Sequence, residues 1–427
     1  MVRDSDGLAL PDAQWTIYRG GDSCAIGSQY NPGTGACESE GDAPDRKQSG
    51  PPDDNLSCTP SVAAGNPINM ANGNKFQSER DYLNSTPLPL EFSRYYNSLN
   101  GLWGHDFSER LVIASESIAL LRPDGKQVLF LRNGDVVTAE ATELGELVKV
   151  SSGWEYTSQQ NEVMNFDIDG RLTSWRKPSG HSYTVSRTTT ATVVTDNFSR
   201  SLTFTEDGLY QPLTLQADGF SAAYSYNTSG RLGKVSLTHS GDTVTRQYHY
   251  EDPRNPKLLT GITDERGIRY ATWTYDDQGR AISSEHANGA EKVTLSYNAD
   301  GSTTVTNELG KQTVYRFQTI QGVRRITAIE GEPSANCPAS NAQYSYDERG
   351  LLKTKTDNKG HLTTYTYNDR GLEVARTEAA GTAQARTVTT EWHPDWFLPV
   401  TVTEPDRITR YTYDDQGRQL SQTITQR

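Results

Sequence analysis

The chain has 427 residues, 22% of them charged, with a formal net charge of -13, and only 34% are hydrophobic. Its Lys and Arg residues are scattered through turn-like segments rather than gathered in a stripe, which argues against nucleic acid as a partner of this part of the chain. No apolar run approaches the ~20 residues needed to cross a bilayer as a helix.

Residues 1–61 are rich in Gly, Pro, Ser and Asp, with one candidate strand at Trp15–Tyr18. Asp4 and Asp6 stand where a signal peptide needs a basic start and an apolar stretch, so export by another route or from an upstream leader is expected. Cys24, Cys37 and Cys58 fall here. Cys24 and Cys37 flank a Gly- and Pro-rich segment and either close it as a disulfide or remain free thiols. The stretch Asp42–Asn55 reads as a solvated linker.

Residues 62–155 form a second β-rich unit. Alternation through Leu90, Phe92 and Tyr96, then Leu111, Ile113, Ile118, Leu120, Val128 and Phe130, predicts strands. They are separated by turns at Pro123-Asp124-Gly125 and Asn133-Gly134-Asp135.

Residues 156–427 repeat one phrase. Its clearest copy, Arg269–Ser284, runs through alternating Thr, Trp and Tyr into Asp276-Asp277-Gln278-Gly279-Arg280 and then resumes alternation. That is a β-hairpin: the first Asp bonds the backbone ahead of it, and the fourth residue, Gly, takes the left-handed φ that closes a type I turn with a bulge. The phrase returns at Tyr226, Tyr297, Tyr346, Tyr367 and Tyr413. The last aromatic of each strand marks a ruler at Tyr226, Tyr250, Tyr275, Tyr297, Phe317, Tyr346, Tyr367, Trp392 and Tyr413, with steps of 20 to 29 residues. That period is two strands and two turns. A second aromatic often stands two residues earlier, as at Tyr224, Tyr248, Trp273, Tyr344, Tyr365 and Tyr411, so each strand offers an aromatic pair on one face, able to stack on its neighbours. The loop Glu330–Asn341, holding Cys337, is the longest interruption and is expected to jut from the sheet. No helix-period segment of useful length appears, and the fold class is all-β, a run of antiparallel hairpins forming one long spiralling sheet after a small β-rich domain.

The Y-D-x-x-G-R phrase, the stretch Leu258–Gly289 and the turns Asp264-Glu265-Arg266-Gly267 and Asp357-Asn358-Lys359-Gly360 resemble the Rhs/YD-repeat family. The 62–155 unit resembles the β domain preceding the repeats in bacterial members, with Trp103-Gly104-His105 matching its aromatic corner. The resemblance implies a hollow β-shell that commonly encloses a variable C-terminal toxin. Bacterial members usually end their repeats in a D-P-x-G-L-like self-cleaving motif; Asp252-Pro253 does not match it, and the chain reaches Arg427 in mid-repeat. By family standards the repeats are too few to close a whole shell, so an exposed sheet edge and self-association are expected.

No catalytic constellation emerges. The seven His residues lack metal spacing, and no nucleophile elbow, phosphate loop or dinucleotide fingerprint is present. His105 beside Asp106 offers a general-base pair, but a packed histidine is the better reading. Asp167 with Asp169 and Asp276 with Asp277 could hold calcium, but they lack the spaced series of a calcium loop and read as turn residues. The expectation is therefore a non-catalytic scaffold with no catalytic, cofactor-binding or metal residues and no cofactor. The resemblance implies a protein that is secreted or at the cell surface, with a C-terminal toxin cargo and secretion machinery as partners, for use in interbacterial competition. The alternative is a surface protein that binds carbohydrate through exposed aromatics.

Overall fold

The computed structural model describes residues 28–31, 36–39, 46–52, 60–331 and 341–427. The chain divides into two compact units, Met1–Ala43 and Pro44–Arg427. In the first, Ser28–Asn31 pairs antiparallel with Ala36–Ser39, which places Cys37 opposite Tyr30. The Trp15–Tyr18 strand, the Cys24–Cys37 pairing, Cys58 and the tip of the Cys337 loop lie outside the described residues.

The second unit is built from strands; among the described residues there is no α-helix. Phe76–Leu83, Glu91–Asn97 and Trp103–His105 make a three-stranded sheet, and the strands from Arg110–Ile113 to Val136–Ala139 make a four-stranded meander. A single sheet of 26 strands follows, in strict sequence order from Glu146–Val150 to Gln419–Gln426. It starts ahead of residue 156, and the 62–155 and 156–427 segments belong to one compact unit. Their shared core explains this, because Phe92, Tyr96 and Trp103 pack in one cluster with Tyr224, Tyr248 and Trp273.

The turn chemistry read from the sequence is realised. Asp276 Oδ1 accepts from the backbone of Gln278 and Arg280, while the Gly279 amide closes on the Asp276 carbonyl at 3.0 Å with φ +78°. The pairing then shifts between Thr274 and Tyr275, which is the bulge. The same carboxylate or amide device operates at Asp167, Asp264, Asn307, Asp347, Asp357 and Asp414. Asp207 uses it too, but there Tyr210 takes the glycine's place with φ +62°.

The aromatic pairs behave differently from expectation. Among the described residues the Tyr–Tyr stack within a repeat strand is Tyr411 on Tyr413, with ring centroids 6.5 Å apart. Most of the last aromatics, Tyr250 and Phe317 apart, instead donate to a carbonyl at or just before the start of the preceding strand, beside the previous turn on the same rim. Tyr226 reaches Pro212 at 2.7 Å, Tyr275 reaches Leu259 at 2.6 Å, Tyr297 reaches Ala281 at 2.7 Å and Tyr413 reaches Pro399 at 2.7 Å. Trp392 does the same through its indole N–H, to Glu373 at 2.9 Å. These bonds tie successive turns together where no loop joins them. The outward face carries paired hydroxyls instead, such as Thr205 with Thr214 at 2.7 Å and Thr377 with Thr387 at 2.9 Å.

The sheet also comes round on itself. The turn between its second and third strands, at Ser158–Glu162, meets the turn between its twenty-third and twenty-fourth, at His393–Leu398. Beyond that contact the last strand, Gln419–Gln426, is exposed at every residue.

Candidate functional site

The feature that organises the molecule is the face of the sheet covered by the 60–139 block. Arg94, 1% exposed, lies at its centre on the strand Glu91–Asn97. Its Nε and Nη2 bind Asp81 at 2.5 and 2.9 Å, and Nη2 also meets the Tyr248 hydroxyl at 3.0 Å. Tyr224 completes the carboxylate's shell at 2.7 Å, and the guanidinium lies 4.7 to 5.5 Å from the rings of Trp103, Tyr224 and Tyr248. Burial opposes the charge, but the Asp81 carboxylate, through its charge and its hydrogen bonds, outweighs it and holds the Arg94 pKa well above the usual value.

Around this centre the block is sewn to the sheet. The Tyr96 hydroxyl donates to Lys257 at 2.8 Å and accepts from the Leu259 amide at 2.9 Å. Trp103 donates to the Tyr250 hydroxyl at 2.9 Å, Trp273 to the Asn66 carbonyl at 2.9 Å, and Thr303 to the Met70 carbonyl at 2.8 Å. Lys75, wholly buried, donates to the Asn66 carbonyl at 2.7 Å, to Gln77 at 2.8 Å and to the Phe76 carbonyl, over the Trp273 ring. With no carboxylate bonded to it, burial pulls its pKa well below the ordinary lysine value, opposed only by the more distant Glu79.

His105 is buried and Asp106 half-buried, and they serve different partners. His105 Nε2 lies 3.0 Å from Glu206, whereas Asp106 accepts from the Ser93 amide and the Tyr95 hydroxyl, each at 2.6 Å. Burial pushes the Asp106 carboxyl up to about 7, against those two hydrogen bonds. Glu109, 3.4 Å from Arg122, is raised by burial to about 7 as well. Asp167 and Asp276 are turn residues, Asp277 pairs with Arg254, and Asp252 also pairs with Arg254, at 2.7 Å. Among the described residues no cluster of His, Cys, Asp or Glu is arranged to hold a metal ion.

The linker reading of Asp42–Asn55 needs correction over its described part. Ser49, Gly50 and Pro52 are buried, and residues 47–52 run as a strap between block and sheet. Gln48 exchanges hydrogen bonds with the Arg324 backbone at 2.8 and 3.2 Å, and Asn74 holds the Ser49 carbonyl at 2.7 Å. Lys47 binds the Gln321 carbonyl at 2.8 Å and Glu140 at 2.6 Å. Composition suggested solvent, but the side-chain amides of Asn69, Asn72 and Asn74, 21 to 25 residues away, and backbone groups of Gln321 and Arg324, 274 to 276 residues away, supply the partners. A cavity of about 380 Å³ beside the strap is lined by Arg122, Tyr156, Arg325 and Tyr346 among others. Arg122 lies against Glu109 and Tyr156 donates to Glu143 at 2.9 Å, so these lining groups are turned on their own neighbours.

The paired residues Arg94, Asp81 and Lys75 were not singled out from the sequence. The signal available was a cation inside an apolar alternation, at Arg94 between Phe92 and Tyr96. Apart from Arg94 Nη1, which is buried without a hydrogen-bond partner, the polar groups described on this face bond one another, so the arrangement is built to hold two layers together.

Fold and covered face define a repeat scaffold braced from one side by a separate β block. Residues 346–383 match the family model described as RHS Repeat, and residues 65–130 match the one described as Domain of unknown function (DUF6531). With the hairpin period and its turns, these matches support an Rhs/YD-repeat protein. It is similar to Double-stranded DNA deaminase toxin A of Burkholderia cenocepacia (strain H111), 26% identical over 303 residues, covering 67% of this chain and 18% of that protein. It thus spans under a fifth of that relative's length. Among solved structures, TcdB2-TccC3 without its hypervariable C-terminal region aligns with 82% of this chain and 22% of that one, at 12% identity and TM-score 0.44. TcdB2-TccC3-Cdc42 aligns with 87% and 20%, at 14% identity and TM-score 0.38.

Proposed function

We propose that this chain is the non-catalytic scaffold of a secreted toxin-type Rhs protein, whose covered face continues as a lining for a C-terminal cargo delivered to competing bacteria. One observation carries the reading. The shared core ends near Phe317, yet the same face runs on through later strands where Tyr344, Arg376, Val388 and Tyr411 are only half-buried, while Tyr365 between them is buried. A lining of tyrosine, valine and arginine suits a polypeptide held by many weak contacts. The toxin in the name of the Burkholderia cenocepacia relative supports the cargo class, and the many buried groups that bond one another support a structural rather than an enzymatic role. On this reading the partners are the toxin segment and an export machine, and the protein acts outside the producing cell. No helix among the described residues is long and apolar enough to cross a membrane.

The carbohydrate-binding alternative has less support, because the paired tyrosines lie on the covered face and the outward positions carry Thr and Ser. The test is limited proteolysis of the product of the native reading frame followed past Arg427. A protected downstream segment, cut faster when Tyr344 and Tyr411 are changed to Ser, is the expected result. A downstream segment cut as fast as the same segment alone would overturn the reading, as would a frame that stops at Arg427.

A further inference from the structure

Lys75 stands where the block meets the sheet, and it differs from Arg94 in having no carboxylate to bond. It is 0% exposed, and three oxygens surround Nζ: the carbonyls of Asn66, at 2.7 Å, and Phe76, and Oε1 of Gln77 at 2.8 Å. The Trp273 ring, its centre 4.1 Å from Nζ, closes another side, and its indole donates to the same Asn66 carbonyl at 2.9 Å. Burial pulls the amine's pKa well below the ordinary lysine value, against the charge of Glu79. A neutral amine keeps two N–H donors and one lone pair. With the two backbone carbonyls taking the donors, the lone pair is left on the side of the Gln77 carboxamide.

That carboxamide is held for attack. Lys75 immediately precedes the strand Phe76–Leu83, and positions 75, 77 and 79 share one face of it. Gln77 turns Oε1 to Nζ and donates through Nε2 to Glu79 Oε1 at 2.8 Å, so a carboxylate lies on the nitrogen that would leave. Glu79 is itself 6% exposed, paired with Arg246 and within 3.4 Å of the Tyr270 hydroxyl, both of them from the sheet.

We propose that Lys75 and Gln77 react with one another in the folded chain and form a side-chain amide link. Nζ bonds to the side-chain carbonyl carbon of Gln77, the bond from that carbon to Nε2 breaks, and ammonia leaves. Glu79 takes the proton that Nζ loses and returns it to the departing Nε2, so no oxidant, reductant or co-reactant is required. Side-chain amides are poor electrophiles in water, but well-oriented groups held in contact react with effective concentrations of about 10⁵ M or more. Desolvation of the amine activates it further. Trp273 and Arg246 reach this strand only when the block has docked, so the reaction follows folding. Its product is an uncharged amide in place of a buried amine, and the seat no longer has to exclude an ammonium.

The test is the mass of the intact folded chain together with a tryptic map. The chain should be lighter than its sequence by one ammonia, trypsin should no longer cut after Lys75, and fragmentation should place the link between Lys75 and Gln77. Chain recovered unfolded into urea should keep the full mass and lose the ammonia on refolding. Glu79→Gln should slow that loss by about a hundredfold or more, the effect of removing the proton carrier. Gln77→Ala should abolish it. A folded wild-type chain at full mass, still cut after Lys75, would overturn the proposal, as would an ammonia loss that persists in Gln77→Ala. Conversion of Gln77 to glutamate would overturn it too, because water rather than Lys75 would then be the nucleophile.

Discussion

The Tyr297 hydroxyl donates to the carbonyl of Ala281 at 2.7 Å, joining the end of one repeat strand to the start of the strand before it. The tyrosine that marks the period is thus the bolt between neighbouring turns, and its ring also lies under Arg280, 4.2 Å from ring centre to guanidinium. Replacing Tyr297 with Phe keeps the ring and deletes the bolt. The expected loss is about 1 kcal/mol of unfolding free energy, read by urea denaturation. Tyr275→Phe should cost more, because its Leu259 acceptor lies in a fully buried environment.

Two glycines with nearly equal φ separate conformational strain from collision. Gly301 has φ +81° with open space where a Cβ would stand, so Gly301→Ala should cost about 1–2 kcal/mol, the price of the left-handed backbone alone. Gly73 has φ +80° but faces the Arg280 backbone, whose Cα would lie 2.9 Å from the new Cβ. Gly73→Ala should therefore cost several kcal/mol and break the Ala281 amide bond to the Gly73 carbonyl, visible as faster exchange at Ala281.

Arg94→Met leaves Asp81 buried against two tyrosines without its cation. A loss of about 3–5 kcal/mol is expected in thermal or urea unfolding. The double variant Arg94→Met/Asp81→Leu should recover much of that loss, since an apolar pair removes the unpaired charge. A double variant as unstable as the single one would show that the aromatic cage depends on the cation itself.

Asp106 and Glu109 give the block a pH dependence of definite sign. Their carboxyls rise from 3.8 and 4.5 in the unfolded chain to about 7 when folded. The folded state binds the extra protons, so their contribution is complete below the unfolded values and is lost as pH climbs through about 7. Wild type should lose stability relative to Asp106→Asn/Glu109→Gln between about pH 4 and 7, measured as the difference in Tm at each pH. A difference that stays flat would show that both groups are ionised in the fold.

The repeat was legible because hairpin turns are local chemistry. Asp276 and Gly279 act on atoms within four residues, so spacing alone identified the turn, its bulge and the strand on either side. The strands around Phe92, Leu120 and Phe130 were readable for the same reason, through alternation. The stacking expected of the aromatic pairs gives way at most strands to a tyrosine hydroxyl bonded to a carbonyl of the preceding strand, which no local pattern records. The strap at residues 47–52 looked like solvated linker because its partners, Asn74, Gln321 and Arg324, are distant in sequence.

The hairpin, its period and the all-β class were thus written in the chain, since each depends on neighbours a few residues apart. Only the tertiary structure decided which face the block covers, where Arg94 and Asp81 meet Tyr224 and Tyr248, and how far the sheet coils before Asn161 reaches Phe397. Twist accumulates over many strands, and contacts between residues more than a hundred positions apart follow from that sum, which no single repeat contains.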